Sequence, residues 1–107
     1  MLYRMLQGAS GGGGSLNPTA TGGAISKNST VNVTIDLSKR YVLVHGIGTI
    51  NEPNSFHLNA WYIENGNITQ TLNGYGTQAT CSISGTTLSI INSNVNWTSN
   101  YVLTQLD

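Results

Sequence analysis

From Thr30 onward, apolar and polar residues alternate with a period of two. Thr30-Val31-Asn32-Val33-Thr34-Ile35-Asp36-Leu37 places Val31, Val33, Ile35 and Leu37 on one side, the pattern of a half-buried strand. Ser38-Lys39 supplies a turn. Arg40 to Gly48 is apolar on both faces, which predicts a central strand. Asn51-Glu52-Pro53-Asn54 has the chemistry of a loop. Ser55 to Glu64 is the richest strand segment, and the Asn65-Gly66 that follows predicts a type I′ hairpin returning through Asn67 to Leu72. Asn73-Gly74-Tyr75-Gly76 reads as a second loop. Thr77 to Ser84 carries Ala79, Cys81 and Ile83 in phase, Gly85 turns the chain, and Thr86 to Ile91 pairs back. Asn92 to Asn100 is a polar connection bearing Val95 and Trp97, and Asn100 to Leu106 is the closing strand. About seven strands, with no segment of helical period, predict an all-β fold, an antiparallel β-sandwich or jelly-roll-like architecture over residues 30–107.

Residues 1–29 follow no such pattern. A short apolar head (Leu2, Tyr3, Met5, Leu6) leads into Gly11 to Gly14, Ser15 and a Thr/Gly-rich stretch. Consecutive glycines carry the largest backbone entropy and do not nucleate structure alone. The span reads as an extended, Gly-rich N-terminal arm with an anchor at its tip, docking on a neighbouring subunit. Met1 to Leu6 is too short for the apolar core of a secretory signal, and no run reaches transmembrane length.

Composition narrows the function. Asn, Thr, Ser and Gly supply 50 of 107 residues, while four acids and four bases are the entire charged inventory. Zero formal net charge argues against nucleic acid, whose phosphates require a Lys/Arg surplus, and against attraction to anionic lipid. A neutral surface repels its own copies weakly, which suits ordered assembly. Cys81 is the single cysteine, so no intramolecular disulfide forms, and its alternating window predicts a buried thiol. The Asn-x-Ser/Thr triplets at Asn28, Asn32, Asn67 and Asn96 follow from composition.

Catalytic constellations are weak. Asp36, Glu52 and Glu64 sit at a strand end, a loop and a hairpin, and nothing in their spacing pairs two of them as glycoside hydrolysis requires. His45 and His57 lie in strands with no nucleophile elbow beside them, and read as strand histidines rather than as metal ligands with Asp36 or Glu52. The expectation is a protein with no catalytic residues, cofactor or metal. Carbohydrate recognition carries more weight, because sugars stack on aromatic rings flanked by amide donors. Trp61, Tyr75 and Trp97 are the candidate contacts, Tyr75 because it lies in a loop between two glycines.

Three segments carry a likeness: the Gly-rich arm Gly11–Ser15, Ser38-Lys39-Arg40-Tyr41-Val42-Leu43-Val44-His45-Gly46, and Ile83 to Ile90 with Trp97 to Leu103. With these, the chain resembles the small β-rich structural proteins of tailed bacteriophages: fibre tips, head fibres and capsid decoration proteins. The resemblance implies a homotrimeric, non-enzymatic virion component assembled in the host cytoplasm. Its partners would be capsid or tail proteins, and a host surface glycan where the aromatics are used. In this expectation the β-domain associates through an apolar sheet face, and Leu2, Tyr3, Met5 and Leu6 anchor the arm.

Overall fold

The computed structural model describes residues 19–49, 52–73 and 79–107, with backbone only at 48–49 and 52–57. Eight strands follow one another in these residues: β1 (Thr19–Ile25), β2 (Ser29–Thr34), β3 (Tyr41–Thr49), β4 (Glu52–Glu64), β5 (Asn67–Asn73), β6 (Ala79–Ser84), β7 (Thr87–Asn92) and β8 (Ser99–Gln105). They form a five-stranded sheet of order β1-β8-β3-β4-β5 and a three-stranded sheet of order β2-β7-β6, every pairing antiparallel. The fold is a β-sandwich. The nesting of β1 on β8 and β2 on β7 has jelly-roll character, whereas β3, β4 and β5 run as a meander within one sheet.

Local chemistry accounts for the turns. Asn65 and Gly66 have φ of 53° and 75°, both left-handed, as the type I′ hairpin between β4 and β5 demands. Gly85 turns β6 into β7 with φ of 60°. Asn28 takes φ of 50° between β1 and β2, and its N–H donates to the Asn94 carbonyl at 2.8 Å.

The core is the layer between the sheets. Tyr41, Leu43, Trp61, Ile63, Tyr101 and Leu103 from the larger sheet meet Ala79, Leu88 and Ile90 from the smaller one, with Ile25 and Ile35 closing the margins. The strands β2, β3, β4, β6, β7 and β8 contribute alternate residues, so the period of two in the sequence becomes one buried layer.

Three details depart from expectation. The eighth strand, β1, lies inside the span read as an arm. It carries few apolar side chains and is held by its backbone ladder to β8, seven register pairs from Thr19↔Gln105 to Ile25↔Ser99. A Cβ built on Gly22 would stand 2.3 Å from the Tyr101 carbonyl oxygen, so only glycine lets β1 approach β8 this closely. Leu37 does not continue the β2 stripe. The strand ends at Thr34, and Leu37 is 39% exposed in the turn that Asp36 caps through Ser38. Glu52, Pro53 and Asn54, read as a loop, belong to β4.

Candidate functional site

The outward faces of the two sheets differ in chemistry. On the smaller sheet, register sets Thr34 beside Thr87 and Ser84, Asn32 beside Ser89 and Ser82, and Thr30 beside Ile91 and Thr80. Eight of these nine side chains are polar, and the Ser89 hydroxyl donates to Asn32 Oδ1 at 2.7 Å. Such a face is comfortable in water.

The larger sheet presents the reverse. Its middle row runs Gly22, Val102, Val44, Ala60 and Leu72 across all five strands. The row on one side is Ala20, Thr104, Val42, Tyr62 and Thr69, and on the other Ala24, Asn100, Gly46 and Leu58. Val102 and Leu72 are 42% and 44% exposed, while Val42, Val44, Leu58, Ala60 and Tyr62 are half-buried. Three rows across five strands span about 400 Å² at ordinary strand spacings. Mostly apolar but interrupted by Thr69, Asn100 and the buried Thr104, this footprint is of the size of the largest patch on a typical monomer, about 300–600 Å².

Among the described residues, ionisable groups are dispersed. The Arg40 guanidinium grips the Asp107 carboxylate, Nη2 to Oδ1 at 2.6 Å and Nε to both oxygens at 3.0 and 3.1 Å. That pairing holds the Asp107 carboxyl below its usual range and raises Arg40. Hydrogen bonds from the Ser38 hydroxyl and N–H lower Asp36. Among the described residues no three of His, Cys, Asp or Glu gather where a metal ion could be held. Cys81 is half-buried in β6, and burial pushes its thiol up to about 11.

Among the described residues five polar side chains are fully buried, His45, Asn59, Asn92, Ser99 and Thr104, and two of them bear most on the site. Asn92 is fully buried at the end of β7; its Nδ2 donates to the carbonyls of Ile25, Ser26 and Trp97 at 3.1, 3.2 and 2.9 Å, and its Oδ1 accepts from Asn94 N at 3.0 Å. One side chain thus ties β1, β7 and the 93–98 connection together. His45 faces inward from β3, in register with Asn59 of β4 and Tyr101 of β8. It is fully buried, neither ring nitrogen has a partner, and desolvation lowers its pKa to about 4. A shallow groove of about 120 Å³ opens between β1 and β2, lined by Thr21, Val33, Tyr41, Leu103 and Gln105 among others. It is smaller than the sites that take drug-sized ligands.

The candidates read from the sequence are scattered. Trp61 is 5% exposed and belongs to the core, so its ring offers no platform for a sugar; the inward parity of β4 removes it as a glycan contact. Trp97 is 40% exposed in the 93–98 connection, where its N–H donates to Asn94 Oδ1 at 2.9 Å. Tyr75, Leu2, Tyr3, Met5 and Leu6 lie outside the described residues, as do the side chains of His57 and Glu52. Sequence reasoning missed the hub at Asn92, whose partners are up to 67 residues away. No protein-family model, curated protein or solved structure matches the chain.

Proposed function

We propose that this chain is a non-enzymatic structural component of a tailed-bacteriophage virion, of the capsid-decoration, head-fibre or fibre-tip kind. Its β-domain self-associates as a trimer through the outward face of the five-stranded sheet. The residues preceding β1, with Leu2, Tyr3, Met5 and Leu6, anchor it to capsid or tail. The observation that carries the reading is the apolar row Gly22, Val102, Val44, Ala60 and Leu72, open on one side of a sheet whose other side is already packed. Burying such a face contributes about 25 cal/mol per Å² of apolar area. A chain of zero formal net charge adds little electrostatic resistance. Among the described residues, dispersed acids and the buried imidazole of His45 favour contact area, rather than reaction chemistry, as what the molecule offers.

The arm is tested by deleting residues 1–15. The β-domain should keep its strand signature by circular dichroism while the protein disappears from purified particles. Particles that retain the truncated chain at full occupancy contradict the anchoring role.

A carbohydrate-binding reading is favoured by one observation, the exposure of Trp97 in a connection rich in Asn. Trp97→Ala should weaken binding on a glycan array; unchanged binding removes Trp97 from any sugar site.

A further inference from the structure

The three-stranded sheet has a second way to join copies, through the edge of β2. We propose that β2 pairs antiparallel with β2 of a second copy about a two-fold axis at Asn32, doubling the sheet. This contact is separate from the outward face of the larger sheet and stands or falls independently of it.

Three observations lead there. First, β2 pairs only with β7 among the described residues, and no charged residue or proline guards its other side. Natural edge strands are commonly protected by those residues. Second, the parity of the ladder shows which backbone groups face outward. The Ile35 N–H donates to the Thr86 carbonyl at 2.8 Å, so Ile35 and, two and four residues earlier, Val33 and Val31 point their backbone groups at β7. Thr30, Asn32 and Thr34 therefore direct their N–H and C=O groups to the open edge.

Third, that edge is self-complementary. Residues 30–34 read Thr-Val-Asn-Val-Thr in either direction. An antiparallel register centred on Asn32 sets Thr30 opposite Thr34, Val31 opposite Val33 and Asn32 opposite its own copy. Directly opposed residues then share a face, with valines inward and Thr and Asn outward, as an unbroken sheet requires. About six backbone hydrogen bonds form across the axis, two for each opposed pair whose groups point outward. The same register brings Lys27 of one copy to the end where Asp36 of the other lies, at both ends of the contact. The Ser89 hydroxyl holds the Asn32 carboxamide over the ladder, so this side chain is already placed on the sheet before pairing.

The test uses the full chain with Cys81→Ser. Asn32→Cys places two thiols across the axis, and Thr87→Cys places them on the same polar face but on the central strand β7. Mild oxidation should give covalent dimers of the Asn32→Cys protein several-fold in excess of those from Thr87→Cys. Equal yields overturn the proposal. Asn32→Pro removes an outward N–H that the β2–β7 ladder does not use. It should at least halve the solution mass relative to the unaltered chain, with the circular dichroism spectrum retained. An unchanged mass with the fold intact also overturns it. A loss of trimer through the larger sheet would alter neither the cysteine comparison nor its meaning, so the two contacts fail separately.

Discussion

The two outward faces arise from the same alternation, yet they have opposite fates. The smaller sheet exposes Thr30, Asn32, Thr34, Ser82, Ser84, Thr87 and Ser89, which water satisfies. The larger sheet carries the half-buried Val42, Val44, Ala60 and Tyr62 beside the exposed Leu72 and Val102, which water does not. A sandwich needs one apolar side per sheet. The smaller sheet has one and the larger has two, and the proposed self-association would use the second. In the reading proposed above, stability and assembly fall to different layers: the inner layer holds the chain together, and the outer layer of the five-stranded sheet would hold copies together.

The comparison breaks most decisively by charging one face and then the other. Val44→Glu with Val102→Glu, made in the Asn32→Pro background so that edge pairing does not contribute, should reduce the assembly to single chains by sedimentation. The matched change on the polar face, Ser89→Glu, should leave its mass and melting temperature nearly unchanged. Equal effects from both faces would remove the distinction.

The inner layer is tested next. Asn92→Ala leaves the buried carbonyl of Ile25 and the part-buried carbonyls of Ser26 and Trp97 without their donor, at a cost of about 1–3 kcal/mol in chemical denaturation, with β1 losing protection from hydrogen exchange first. Assembly through the outer face should persist wherever the chain remains folded.

Acid sharpens the same division. His45 has a folded pKa of about 4 against an ordinary value of 6.5, so the unfolded chain takes the proton first. Its contribution is whole above about pH 6.5 and declines as pH falls toward 4, by up to about 3 kcal/mol. Denaturation measured across that window should show the decline, and His45→Leu should flatten it. Asp36 and Asp107, whose carboxyls lie below their usual range, act only at lower pH. The smallest effect belongs to Arg40→Ala. Its ion pair with Asp107 is partly solvated, so the loss of stability should be slight and should shrink further in salt.

Much of this arrangement was legible in the sequence. The hairpin at Asn65-Gly66, the β2 stripe of Val31 and Val33, and the pairing of β6 with β7 follow from local rules, because turn chemistry and parity act between neighbours. The strand β1 was not legible. Thr-Ala-Thr-Gly-Gly-Ala shows no apolar alternation, and its order comes from β8, some 80 residues downstream. The two-sided apolarity of Tyr41 to Gly46 announced a central strand, and β3 is central. What it concealed is that one of the two apolar sides is open rather than covered. Trp61 stands in an apolar strand segment and Trp97 in a polar connection; strand parity buries the first, and the 93–98 connection exposes the second.

The most direct test of the outer layer is the mass of the Asn32→Pro chain at tens of micromolar, by sedimentation equilibrium. A species three times the 11.4 kDa of one chain is the predicted result. A single 11.4 kDa species with native circular dichroism would contradict the role assigned to the apolar face.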